Sequence, residues 1–197
     1  MTSSAAPTPW KRIVAAILDS IVAAIPAAIV MVMFSIVNGN LGTIGYALVW
    51  GLGFGLRDAL PIPALNGASI GKKVLGLQAV RGDGSPCDYE SSIKRNAPLM
   101  VWAAFSLLSG LIGLVGIPVL PWILTIIGSI VGLVVMIVET YKIFTAERGL
   151  RIGDLFASTY VVEHGGSVVD QVPTQPPPPP AGANDSESQA PPPPPPA

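Results

Sequence analysis

Ala97 through Val138 carry no Asp, Glu, Lys or Arg, 42 residues in a row. A run of that length leaves few choices. It is too long for one helix of ordinary size and has no polar face with which to meet water, so it predicts two helices in a bilayer, where about 20 apolar residues cross the hydrocarbon. Gly110 to Pro121, GLIGLVGIPVLP, supplies glycines and prolines at its middle and is the natural hairpin turn. This places one span near 97–115 and another near 119–138. One long tilted helix followed by a re-entrant segment is the alternative.

Two more apolar stretches precede it. Ile13 to Val37 contains one charge, Asp19, and is about 25 residues long, enough to cross a bilayer at about 1.5 Å per residue. A cleaved signal peptide competes with this reading, but the run exceeds a signal h-region and carries an aspartate inside it. Pro26 is expected to kink the span, which membrane helices tolerate. Asn38-Gly39-Asn40 reads as a tight turn into a second span at 41–60, where Gly51 and Gly55 form a small-xxx-small pair that lets another helix come close. Pro61 and Pro63 end it.

Composition agrees with a membrane protein. Half of the 197 residues are hydrophobic, 12% are charged, and the mean hydropathy is +0.59, where a soluble domain carries about 25% charged residues. A formal net charge of −1 gives no general attraction to nucleic acid. The single cysteine, Cys87, rules out an internal disulfide and a cysteine zinc cluster, and reads as a loop thiol. The single histidine, His164, reads as a solvated loop residue. No nucleophile–base pair, cofactor motif or metal-ligand spacing stands out, so neither an enzyme nor a bound cofactor is expected.

Between the second and third spans lies the longest polar interval, Asn66 to Asn96. GASIGKK within it imitates a phosphate loop, but that motif needs four residues between its glycines and a Ser or Thr after the lysine, and here three residues and Lys73 stand in those places. Nucleotide binding is rejected. Lys72 and Lys73 are expected at the level of the lipid headgroups. Val74 to Val80 alternates enough for a short strand, Arg81-Gly82-Asp83-Gly84 reads as a turn, and Asp88 or Ser85 is placed to cap a short helix through Arg95. Thr159 to Glu163 is a second strand candidate, suited to pair with 75–80.

Charge then orients the chain. With four spans, ten of the eleven Lys and Arg fall on one side, and the two connecting turns on the other side hold none. The positive-inside rule puts both termini and the central loop in the cytoplasm. The expected organisation is a short disordered lead at 1–9, a transmembrane domain at 10–163 and a disordered proline-rich tail at 164–197. The fold class is an all-α integral membrane protein of the cell membrane, with four transmembrane helices and a small cytoplasmic strand/loop element.

Asp19 is the main chemical signal. It lies about 9 Å into its span, where a charge costs about 2.5–3.5 kcal/mol at full depth, so it needs a partner or a wet cavity. Arg57 falls at nearly the same depth, and Arg12, seven residues before Asp19, projects from the same face. A cluster of Arg12, Asp19 and Arg57, with Glu139 as a further member, is expected at the cytoplasmic boundary. It serves either helix packing or an ion, a proton or a polar solute.

These motifs, in this order, resemble the RDD family of membrane proteins, named for one arginine and two aspartates. WKRIVAAILD provides Arg12 and Asp19, GASIGKKVLGLQAVRGDGSP is similar to the family's glycine–lysine stretch with its strand and turn, Arg95 matches a basic residue before the next span, and RGLRIGDLFASTYVV provides Asp154 and a strand. The resemblance covers about 10–163. It departs at Gly153, where the family often has histidine, and in the length of the third apolar stretch. It implies transport of unidentified ligands, with cation–proton exchange linked to some members. Asp19 and Asp154 would then be the polar elements of a cytoplasm-facing site, in a homo-oligomer because four short spans hardly enclose a pathway. The other expectation is a membrane scaffold or accessory subunit whose proline-rich tail engages a cytoplasmic protein partner.

Overall fold

A computed structural model describes residues 7–146 and 149–163. Residues 1–6, the tail at 164–197 and with it His164 lie outside the described residues. The elements run α1 (Pro9–Ser35), α2 (Gly39–Leu56), α3 (Ile70–Val74), β1 (Leu77–Arg81), α4 (Tyr89–Asn96), a 3-10 turn (Ala97–Met100), α5 (Val101–Leu114), α6 (Leu120–Thr145), α7 (Ile152–Phe156) and β2 (Thr159–Glu163).

α1 begins at Pro9, inside the stretch read as a lead, because a proline costs nothing in the first turn, where its missing N–H would be unpaired anyway. It is an unbroken helix through Pro26. Three residues separate it from α2, whose first turn is capped by the Asn38 side chain accepting from the Asn40 N–H at 2.8 Å. Gly51 and Gly55 then do what their spacing predicts. A Cβ on Gly51 would stand 3.2 Å from that of Ala103, and one on Gly55 would stand 2.8 Å from the Met100 sulfur, so α2 meets the start of α5 at close range.

Ala97–Val138 is split between two helices, with the chain turning at 115–119. The third apolar segment differs from expectation at its start. Asp88 caps α4 through the Ser91 N–H at 2.9 Å, and α4 runs through the 3-10 turn into α5, so a helical course reaches from Tyr89 to Leu114. α6 continues past 138 to Thr145 and carries Glu139 and Lys142 with it.

Three helical segments, Pro9–Ser35, Tyr89–Leu114 and Leu120–Thr145, are long and apolar enough to cross a membrane. The 18-residue, glycine-rich α2 packs between α1 and α5. The helices pack in chain order, α1 on α2, α2 on α5 and α5 on α6, while α1 and α6 barely touch. Ile29, Val32, Ile130 and Ile137 are each more than half exposed on α1 and α6. An apolar exterior of this kind suits hydrocarbon and would be a liability in water.

The two strands pair antiparallel, with Ala79 opposite Val161 and Leu77 opposite Glu163. β1 starts at Leu77 and not at Val74, because Ile70–Val74 forms the helical turn α3. Gly76, at φ 68°, makes the reversal between α3 and β1. Leu77 and Val161 pack against Ala15 of α1, which fixes the sheet to the first turns of that helix. Cys87 is buried beside this layer, and burial pushes its thiol up to about 11, as befits an inert thiol.

Candidate functional site

The N-terminus of α1, the C-termini of α2 and α6, and α3, α4 and α7 converge at one end of the helices, and a layer of buried charge lies between them. Arg12, Asp19, Arg57, Asp58, Lys72, Arg95, Glu139, Arg151 and Asp154 are all buried. Charges in such surroundings are tolerable only when paired and hydrogen-bonded, and the layer is built that way.

Asp19, about one helical turn beyond Ala15 on α1, is held by the glycine–lysine stretch. One carboxylate oxygen accepts from the Ser69 hydroxyl at 2.5 Å and the other from the Gly71 N–H at 2.7 Å. Ser69 is also the N-cap of α3, with its hydroxyl oxygen accepting from the Lys72 N–H at 3.4 Å. A Cβ on Gly71 would meet Asp19 Oδ1 at 2.9 Å and run into the Ala15 carbonyl, so only glycine lets α1 lie this close. The segment that imitates a phosphate loop thus wraps a carboxylate of its own chain. Arg57 Nη1 stands 3.7 Å from Asp19.

Arg57 leaves the end of α2 with its guanidinium 3.8 Å above the Phe54 ring and one N–H donating to Asn96 Oδ1 at 2.9 Å. Asn96 and Ser92 close the end of α2, since the Ser92 hydroxyl donates to the Gly55 carbonyl at 2.7 Å and the Asn96 amide to the same oxygen at 3.4 Å. Asp58 takes a hydrogen bond from the Lys72 ammonium and lies 3.4 Å from Arg95 Nε. Lys72, expected with Lys73 near the lipid headgroups, has its ammonium turned into the layer. It is buried against Asp58, while Lys73 beside it is exposed. Burial, and after it Arg95, push Lys72 from its ordinary 10.5 down to about 7, against the opposing pull of Asp58.

Asp154 is the hub of the other half. Arg12 Nη2 donates to it at 2.6 Å, Arg95 Nη2 lies 3.0 Å away, and Arg151 reaches it through its backbone N–H at 3.2 Å and its side chain at 3.2 and 3.4 Å. Arg12 also donates to the Gly149 carbonyl. Burial raises the Asp154 carboxyl, but Arg151, Arg95 and Arg12 outweigh it and hold the group well below its ordinary 3.8. Glu139 accepts from the Gly153 N–H at 3.2 Å and lies 4.0 Å from Arg151. Gly153 packs directly on the Arg95 backbone carbonyl, leaving no room for a Cβ.

All five residues expected in the cluster, Arg12, Asp19, Arg57, Glu139 and Asp154, are brought into this layer. The pairing differs from expectation in one respect: Arg12 serves Asp154, and Asp19 is held by Ser69 and Gly71 with Arg57 more distant. Asp58, Lys72, Arg95 and Arg151 complete the layer. Asp58 stands beside Arg57 in the expected second span, whereas Lys72, Arg95 and Arg151 stand in segments with loop or short-helix character, where solvent exposure is the ordinary expectation. The signal available was the match of Arg95 to the family pattern.

Two openings reach the layer. A cavity of about 20 Å³ is bounded by Arg12, Asp19, Arg57, Lys72, Arg95 and Arg151 together with Ala16 and Ile143. Beside it a cleft of about 740 Å³ runs between α1 and α6, with Trp50 and Trp102 at its back, hydroxyls of Ser20, Ser129 and Thr140 on its walls, and Glu139 and Arg151 at its polar end. Ala16, Ile143 and Arg151 border both.

No curated protein and no solved structure matches the chain. The model of the RDD family matches residues 6–158, a range that contains every charged residue of the layer. The chain is a multi-pass membrane protein with apolar helices, and it belongs to the RDD family.

Proposed function

We propose that this protein moves an ion or small polar solute across the cell membrane through the charged layer. The observation that supports this most directly is the cleft between α1 and α6, which ends on Glu139 and Arg151 and adjoins the charged cavity. A layer needed only to fix helix packing has no use for an opening that leads to it along the bundle. Distribution of Lys and Arg favours a four-span arrangement with α2 as the second span, and a cytoplasmic location for the layer, the strand pair and both termini. Gradient-driven flux in liposomes, wild type against Asp19→Asn, tests the proposal.

A second reading has its own support. Each carboxylate of the layer has a cation within 4.0 Å, so the charges also suit a rigid, purely structural lock in a scaffold or accessory subunit. On that reading the proline-rich tail recruits a cytoplasmic partner. Deleting residues 173–197 separates the two, because a scaffold loses its partner and a transporter keeps its flux.

A further inference from the structure

We propose that the charged cavity binds a small monovalent anion of about chloride size. This rests on the reading of the charged layer as a ligand site and names the class of ligand. The cavity wall presents five cations, Arg12, Arg57, Lys72, Arg95 and Arg151, and one carboxylate, Asp19. Asp19 already accepts from Ser69 and Gly71. Across the whole layer four guanidinium groups and the Lys72 amine face four carboxylates, Asp19, Asp58, Glu139 and Asp154, a net of one positive charge while Lys72 is protonated.

Unpaired donors lie at this wall. Arg95 is 1% exposed and Arg57 5%. Nε and Nη1 of Arg57, and Nε, Nη1 and Nη2 of Arg95, have no hydrogen-bond partner among the described residues. The carboxylates nearest Arg95, at 3.0 and 3.4 Å, attract its charge without meeting its N–H groups in hydrogen-bond geometry. Buried guanidinium donors without an acceptor are costly, more so than neutral ones, and an electron-rich ligand relieves them. Water would supply an acceptor but leave the excess positive charge.

Size and sign narrow the ligand further. About 20 Å³ holds a single water-sized or halide-sized species, which is too little for a phosphate or a carboxylate-bearing solute. A metal cation finds little here, since among the described residues no three of His, Cys, Asp and Glu converge on one point.

The test uses the purified full-length chain in lipid nanodiscs. Thermal unfolding is followed in sodium chloride, sodium bromide and sodium gluconate at equal ionic strength, and the 35Cl NMR linewidth is read in parallel. The proposal expects a saturable rise in Tm with chloride and bromide but not gluconate, and chloride line broadening that bromide reverses. Arg57→Gln should weaken the chloride effect by about tenfold or more, the loss expected for one hydrogen bond from a charged donor. Should that variant fail to fold, the chloride–gluconate comparison on the wild type decides alone. Equal Tm in chloride and gluconate with no broadening overturns the proposal, and means a site holding water only. Stabilisation that follows sodium or potassium at fixed chloride also overturns it. Chloride binding without any flux would defeat the transport reading and leave the anion site standing, while flux accompanied by no chloride effect on Tm or linewidth would do the reverse.

Discussion

Arg12, in the first turn of α1, donates to Asp154 at 2.6 Å across 142 positions of sequence, and both side chains are buried. The contact makes the end of the domain a structural partner of its beginning. Asp154 also draws in Arg95 and Arg151, so its one carboxylate meets three guanidinium groups, two of which also have Asp58 or Glu139 nearby.

Replacing that charge should be among the most damaging changes available. Asp154→Asn is expected to cost about 3–5 kcal/mol, the usual penalty for leaving buried partners uncompensated. Denaturant unfolding in detergent micelles measures it. Combining Asp154→Leu with Arg12→Met should recover part of the loss, and an additive double mutant would mean that the pair carries no coupling.

The contact of Gly153 with the Arg95 carbonyl leaves no space for a side chain. Gly153→Ala is expected to destabilise by about 1–3 kcal/mol through overpacking, and Gly153→His by more. Unfolding midpoints of the two variants check the order. A histidine variant as stable as wild type would show that α7 and α4 can move apart freely.

Ser69 makes the shorter of the two hydrogen bonds to Asp19. Ser69→Ala removes both that donor and the α3 cap, with an expected loss of about 1–3 kcal/mol. Ser69→Thr, which keeps the hydroxyl, should recover most of it in the same unfolding assay.

Much of this architecture can be read from residue order alone. The apolar runs, their turns, a helix cap at Asp88 or Ser85 and strand character near 75–80 and at 159–163 all follow from local chemistry: hydrophobic length, glycine and proline placement, and short side chains that cap. Arg12, Asp19 and Arg57 stand out because a charge inside or beside an apolar run is expensive. Lys72, Arg95 and Arg151 do not, because a cation in a polar segment is ordinarily solvated. Their burial arises only when α3, α4 and α7 fold over the end of the helices, and that is tertiary information. Asp19 shows the same limit from the other side. Its need for a partner is plain from its depth, but that the partners are a serine hydroxyl and a glycine N–H some 50 positions away is not.

Lys72 sets the pH response above neutrality. Its folded value, about 7, lies below the ordinary 10.5, so between these limits the unfolded chain holds the extra proton and stability rises with pH. Below pH 7 both states are protonated and this residue adds no slope. Asp58, Asp19, Arg57 and Arg95 are the charged groups acting on it. The expected result is a higher Tm at pH 9 than at pH 6, with the difference reduced in Lys72→Met. Asp154 acts at the acid end: its value is depressed below 3.8, so the stability it contributes is complete above about that pH and is lost as the pH falls further.

The most direct test of the central claim is ion flux in proteoliposomes holding the purified protein, measured for chloride and for a panel of common cations under an imposed gradient. The account predicts flux of at least one ion in the wild type and its loss in Asp19→Asn with folding intact. Wild-type liposomes no more permeable than protein-free ones, or equal flux in the Asp19→Asn variant, would contradict it.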